Sequence, residues 1–452
     1  MTEDETGWPH DIVCEVSAME TVKFSKDFML GVASSSTQIE GGITNSTWYE
    51  WCRKRNLFRQ DTCIRGCDHW NRVQEDTGIL KSLHVRTYRM SLEWSRIEPR
   101  AGEYSEEAIR HYREEIELLL QNGIKPLVTL HHFSDPLWFE KLGGWRDPRN
   151  AVFFIRYTEY VVGKLGDLVS DWVTFNEPNV YVVFGYLLGV FPPGVRSLRL
   201  SCEVAAQLIR THTEIYGLIH KIRADRNFAG ETKVGTAIHF RIFDAIPPKG
   251  RKTAALVDHM FHELYAEGMI AGRLLWPLPK KEAKIKKGLY ADFFGINYYT
   301  RNIVEFALDP SNYFYKFLND DRLDKSDLGW DIYPEGIYRV CKKYYPKYKL
   351  PVYITENGIA DEADSRRPKF IADHLAYLAK AIGEGIPVER YYHWSYLDNY
   401  EWNEGEDARF GLYHCDFETQ KRTARRSAKL YARICRYRGL SRRSIREFGL
   451  DG

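Results

Sequence analysis

Eight short apolar or β-branched runs recur along the whole chain, with stretches of helical periodicity between them. That alternation constrains the fold more than any other feature of the sequence. The runs are 28–33, 86–91, 125–130, 172–175, 233–238, 293–297, 352–355 and 391–395. Between them lie amphipathic stretches such as Glu106–Gln121 and 370–384, each followed by a glycine, Gly123 or Gly385, where a helix needs a left-handed C-terminal cap. Strands that alternate with helices pair in parallel and are covered on both faces. Eight of them spread over 452 residues predict a closed α/β structure, the (β/α)8 or TIM barrel. No Ser/Gly/Pro linker or compositional break divides the chain, so a single barrel domain is expected over 1–452, with 1–21 a loosely ordered N-terminal extension. The longest irregular stretch, 308–333, falls after the sixth strand, on the face where barrels build active sites; a functional loop and a plain surface insertion are both open readings.

The formal net charge is +2, which provides no global field to attract nucleic acid or an anionic membrane. Arginines crowd the stretch 421–446, but Leu430, Tyr431, Ile434 and Tyr437 interleave them at near-helical spacing, so this tail reads as an amphipathic helix docked on the core. Eight cysteines are too few for a disulfide framework in a chain this long, and the N-terminus is acidic without an apolar signal core. A reducing, cytoplasmic setting is the expectation. Cys63, Cys67 and His69 lack a fourth ligand at zinc spacing, so neither a metal nor another cofactor is expected. No apolar run approaches the roughly 18 to 20 residues of a membrane span.

Polar residues collect where the predicted strands end: Gln38 and Glu40, Arg89, His131 and His132, Asn176 and Glu177, Asn297 and Tyr299, Glu356 and Asn357, and Trp394. Barrel geometry brings strand C-termini to one rim, so residues hundreds of positions apart line one pocket. Two of these residues are glutamates at the mouths of apolar strands, where a carboxylate is poorly solvated and a second one nearby makes ionising both costly. Their pKa values should split, leaving one acid and one anion. Cleavage of a glycosidic bond with retention uses such a pair about 5 to 5.5 Å apart. Either glutamate alone could instead cap a helix or pair with an arginine.

Several ordered motifs resemble those of glycoside hydrolase family 1, the β-glucosidase family. They are the run from Phe28 through Gln38 to Glu40, Tyr88-Arg89 through Trp94 to Arg96, Asn176-Glu177-Pro178, Phe294 through Asn297 to Tyr299, Thr355-Glu356-Asn357-Gly358, and Trp394 through Asp398 to Glu401-Trp402. The resemblance implies a retaining β-glycosidase with Glu177 as general acid/base and Glu356 as nucleophile. It further implies that Gln38, His132, Asn176, Trp394, Glu401 and Trp402 bind the sugar, with Trp394 as the floor, and that Arg89, Asn297 and Tyr299 orient the nucleophile. The expected partner is a neutral β-linked hexoside, since a 6-phosphate would meet the Glu401 carboxylate. His131 reads as neighbouring structure rather than a sugar ligand.

Phe133 stands where the family usually has Trp, and Glu406 where an aromatic is common, which bears on the leaving-group side. A non-catalytic sugar-binding relative would lack one of the glutamates, and an S-glycosidase would carry Gln in place of Glu177. Transglycosylation uses the same double displacement and stays open on sequence grounds.

Overall fold

The structure, a computed structural model, describes residues 21–55, 62–246, 250–279, 285–309 and 313–450. All but the last residue of the expected N-terminal extension fall outside that set. Eight parallel strands form the barrel: β1 Met29–Ala33, β2 Thr87–Ser91, β3 Lys125–His131, β4 Asp171–Asn176, β5 Lys233–Ala245, β6 Phe294–Phe306, β7 Val352–Asn357 and β8 Val388–Trp394. Neighbours in sequence pair with one another, and β8 closes on β1 with Trp394 opposite Ala33. Each of the eight runs read from the sequence is one of these strands.

β5 and β6 extend much further than their apolar runs, to 13 residues each, and continue as a pair beyond the barrel rim. A short strand, Tyr315–Leu318, adds antiparallel to the free end of β6. The stretch 308–333 is therefore not wholly irregular. The extra strand was hidden because the sequence there lacks sustained alternation and is dense in Asp, Asn and Tyr.

The main apolar core lies between the barrel and its helices and includes Ile109, Ile116 and Leu119 from the helix Glu106–Gln121. Inside, Leu127, Val173, Ala237, Tyr353 and Tyr392 cluster at alternate strand positions. Below them the carboxylate of Asp171 is held by Arg390 at 2.7 Å and Lys125 at 2.6 Å. The C-terminal helix Arg426–Tyr437 docks through Leu430, Tyr431 and Ile434 as expected, but Tyr437 is 57% exposed because it occupies the helix end, past the docking face. Val22–Lys23 pairs antiparallel with Gly439–Leu440, tying the described ends together.

His69 belongs to a buried ionic cluster rather than to a metal site. Its Nδ1 meets Asp76 at 2.8 Å and its Nε2 meets Glu115 at 3.1 Å, while Arg422 also bonds Asp76, joining three separate parts of the chain. Cys67 Sγ donates to the Asp398 carbonyl; the Cys63 side chain lies outside the described residues. Burial opposes protonation of His69, but the Glu115 and Asp76 carboxylates outweigh it and raise the pKa to about 10. Because the folded value lies above the unfolded one, the contribution is complete below pH ~6.5 and is lost as pH rises through about 10. His69→Gln leaves Glu115 buried without its cation and should destabilise the fold by roughly 3 to 5 kcal/mol. Denaturant melts at pH 6 and pH 10 should show a large deficit at pH 6 that shrinks at pH 10.

Candidate active site

Two strand ends at the rim carry register irregularities that re-aim their side chains. Asn297 faces Glu356 while Ile296 faces Ile354, so β7 holds one extra residue, and β4 shows the same between Val173 and Asn176. The chain leaves β4 at Glu177, which lies in the left-handed region at φ 40°, ψ 57°. Pro178 follows it at the first position of a helix, and a residue before proline is steered away from the right-handed helical region. Phe133 at φ 64° and Trp402 at φ 49° share this strained conformation and line the same cavity as Glu177, which is the clustering expected of a functional site.

The cavity has a volume of 270 Å³ and is bounded by both glutamates, His132, Asn176, Tyr299, Trp394, Glu401 and Trp402. Arg89 lies just beneath it, 0% exposed. Its guanidinium donates to Glu356 Oε1 at 2.5 Å, to the Thr355 carbonyl at 3.1 Å and to Asn176 Oδ1 at 2.6 Å. The Tyr299 hydroxyl donates to Glu356 Oε2 at 2.6 Å, so each oxygen of that carboxylate has its own donor. Asn297 Nδ2 bridges Asn176 Oδ1 at 3.0 Å and Glu177 Oε1 at 2.9 Å, and is oriented by Thr355, which donates to its carbonyl. Asn176 Oδ1 thus accepts twice, leaving its Nδ2 to donate to His132 Nε2 at 3.0 Å. His132 is held neutral by burial and by Arg89, which together push its pKa well down. It keeps a buried Nδ1 proton with no protein partner.

Gln38 sits behind this wall. Its Nε2 donates to Asn399 Oδ1, the Tyr400 carbonyl and Glu401 Oε2 at 3.1 Å, and its Oε1 accepts from Ser35. Trp394 and Trp402 both stack near the His132 ring, at 5.9 and 6.0 Å between centroids. His131 turns away to Asp135 at 3.1 Å and packs among aromatic rings, as structure. Glu406 also faces away from the cavity, ion-paired to Arg65 at 3.2 Å, whereas Phe133 lines it.

Two residues escaped the sequence reading. His239 Nδ1 lies 2.8 Å from Glu177 Oε1, and Arg241 Nε donates to His239 Nε2 at 3.0 Å. With Nε2 accepting, the proton must sit on Nδ1 and is donated to Glu177. Both residues follow Ala237 at alternate positions on β5, so a strand read four residues further would have placed them on the rim.

Burial dominates the charges. It pushes Glu356 up to about 7 against the pull of Arg89, with Glu177 adding to the rise, so the pair retains one proton near neutrality. For Glu177, burial acts upward and a charged His239 would draw it below the usual carboxylate range. Burial and Arg241, however, keep His239 neutral against the pull of Glu177, so only neutral donors face Glu177. Arg89 and Tyr299 favour the anion on Glu356, and the shared proton belongs on Glu177. Burial and the neighbouring Glu356 raise Glu401 to about 8. Its carboxyl is therefore largely neutral at pH 7, whereas the sequence reading took it as a charged carboxylate.

Residues 20–440 match the sequence pattern of glycosyl hydrolase family 1. The chain belongs to that family. Among its relatives, "Beta-glucosidase A" of Thermotoga maritima is 33% identical, covering 93% of this chain and 100% of its own. A "Beta-galactosidase" of Pyrococcus woesei is 31% identical over 93% of this chain and 98% of its own. The solved β-glycosidase from Pyrococcus horikoshii superposes with a TM-score of 0.86 at 38% identity, covering 95% of this chain and 99% of that one. This family 1 glycoside hydrolase is thus a (β/α)8 barrel whose rim brings together Glu177, Glu356, His132, Asn176, Asn297, Tyr299, Trp394, Glu401 and Trp402, with Gln38 behind them and Arg89 below, while Glu40, His131 and Glu406 pair elsewhere.

Arg89→Met should leave Glu356 with the Tyr299 hydroxyl as its only side-chain donor and release Asn176. Activity at pH 7 should fall by two to three orders of magnitude, equivalent to roughly 3 to 4 kcal/mol, and the acidic limb of kcat/KM should move upward as Glu356 becomes harder to ionise. A pH–rate profile of the purified variant checks both.

Proposed function

We propose that the protein is a retaining β-glycosidase acting on neutral β-linked hexosides, the whole chain working as one catalytic unit. The observation that carries this reading is the unequal surroundings of the two carboxyls: a guanidinium and a phenol on Glu356, and only neutral donors on Glu177. In the first step a Glu356 oxygen attacks the anomeric carbon while the glycosidic C–O bond breaks. The proton of Glu177 passes to the departing oxygen, and a glycosyl ester forms on Glu356. In the second step the Glu177 carboxylate takes a proton from water, whose oxygen displaces Glu356 and releases the sugar with its original anomeric configuration.

In this reading Asn176 holds the 2-hydroxyl beside the reacting carbon and Trp394 supports the ring's apolar face. His132 offers its unpartnered Nδ1 proton to a sugar hydroxyl. Glu401, steadied by Gln38 and neighbouring Trp402, would take the distal hydroxyls. Because Glu401 is raised to about 8, repulsion of a 6-phosphate by charge alone is weak at pH 7 and grows as pH rises through that value. The preference for unphosphorylated sugar rests more on the uncharged partners around Glu401: Gln38, Trp394 and Trp402. No helix among the described residues is long and apolar enough to cross a membrane, and six described cysteines carry free thiols, which fits a cytoplasmic setting.

A 2-fluoro β-glucoside or β-galactoside with an activated leaving group should inactivate the enzyme, and peptide mapping should find the label on Glu356; a label elsewhere, or inversion at the anomeric carbon, would overturn the assignment. The kcat/KM profile should be bell-shaped, with an alkaline limb where the pair loses its last proton. Glu177→Gln should abolish that limb for a nitrophenyl glycoside while leaving the acidic one.

A further inference from the structure

The two oxygens of Glu177 are not equivalent. Oε1 accepts two N–H bonds, from His239 Nδ1 at 2.8 Å and from Asn297 Nδ2 at 2.9 Å, whereas Oε2 receives none from any described residue. A protonated carboxyl has one hydroxyl and one carbonyl oxygen, and an oxygen that already faces two N–H groups must be the carbonyl. The proton therefore resides on Oε2. Since Glu177 lines the catalytic cavity, that oxygen is the one free to donate to a departing group.

This holds only while His239 remains a neutral Nδ1 donor, and an imidazole has two other states. With the hydrogen on Nε2 instead, Nδ1 would become an acceptor 2.8 Å from Oε1 and would draw the acid's proton to that oxygen. With Nε2 free to take up a proton, the imidazole, ordinarily a stronger base than a carboxylate, would compete with Glu177 for it. Either state empties Oε2.

Arg241 closes both. A guanidinium only donates, and its Nε–H meets His239 Nε2 at 3.0 Å, so that nitrogen must keep its lone pair and can carry no hydrogen. Burial and the Arg241 charge act the same way, lowering the pKa of His239 against the pull of Glu177. Arg241 is itself held in place, by its Nη1 donating to Asn302 Oδ1 at 3.1 Å on the paired strand β6 and by the Trp330 ring at 5.6 Å. Among the described residues it meets no carboxylate, although a buried cation retained for stability alone is expected to be paired with one.

Resting on the glycosidase reading, we infer that Arg241 is a positioning residue for proton transfer: by fixing His239 as an Nδ1 donor, it confines the acid's proton to Glu177 Oε2. In the first step that proton passes from Oε2 to the departing oxygen as the glycosidic C–O bond breaks. The carboxylate left behind already has both N–H donors on Oε1, and His239 exchanges no proton.

The test is kcat/KM for phenyl and 2,4-dinitrophenyl β-glucosides in the native enzyme, Arg241→Met, Arg241→Lys, and His239→Asn with and without Arg241→Met. Dinitrophenolate departs without a proton and phenolate does not, so a misplaced proton lowers the phenyl rate selectively, whereas a distorted pocket lowers both. Arg241→Met should widen the ratio between the two substrates by about ten- to hundredfold, and Arg241→Lys, which keeps an N–H donor, should recover most of it. Asparagine offers an amide N–H near the Nδ1 position and cannot ionise. Adding Arg241→Met to His239→Asn should therefore leave the ratio within about threefold. Equal losses on both substrates, no loss, or full additivity of the two substitutions overturns the inference. In the native enzyme, nitrogen NMR of selectively labelled histidine should show His239, assigned by its absence in His239→Asn, protonated at Nδ1 and accepting at Nε2. An Nε2–H or imidazolium form overturns the inference even if Arg241→Met does not fold. Failure of the native enzyme to cleave any nitrophenyl β-glucoside or β-galactoside would instead defeat the glycosidase reading, whereas cleavage with an unmoved ratio defeats only the present one.

Discussion

The site depends on one buried cation. Arg89 is removed from water, an arrangement that is unfavourable unless every donor is met by an acceptor of matching geometry. Its partners are Glu356, the Thr355 carbonyl, Asn176 and Thr129, contributed by β7, β4 and β3. A guanidinium supplies this many directed donors from one rigid plane, and an ammonium would not. Three strands, one of them from the far side of the barrel, are thereby held in fixed relation to β2, and the orientations of Asn176, Asn297 and His132 follow from how the first acceptors are filled.

Electrostatics in the pocket follow from the same arrangement. Burial pushes upward on Glu177, Glu356 and Glu401, and the donors each receives decide which keeps its charge. Glu356 has Arg89 and Tyr299; Glu177 has Asn297 and a histidine whose tautomer Arg241 fixes; Glu401 has Gln38 and no cation. Three side chains of one residue type therefore sit in three different surroundings, with the anion favoured on Glu356 alone. The positive φ angles at Phe133, Glu177 and Trp402 are the conformational cost of pointing these groups inward, offset by the tightly packed barrel beneath.

The hydrophobic pattern of this sequence was enough to count eight strands and to close them into a barrel, because parallel strands covered by helices are apolar on both faces and leave runs visible without alignment. The two glutamates, Arg89 and Asn176 were also legible, since each is a polar residue in or just past the last part of such a run and barrel topology brings these parts together. What remained hidden depends on contacts between residues distant in the chain. His239 and Arg241 lie past the apolar part of β5, on an extension held by its pairing with β6 and by contacts from Asn179 and His262. The protonation of Glu401 is set by burial beside Glu356, and a second, apolar cavity lined by Phe184, Leu256 and Phe314 exists only where six separate stretches of the chain meet. Local pattern specifies which faces are buried, whereas protonation states, tautomers and cavities arise from what tertiary packing places against them.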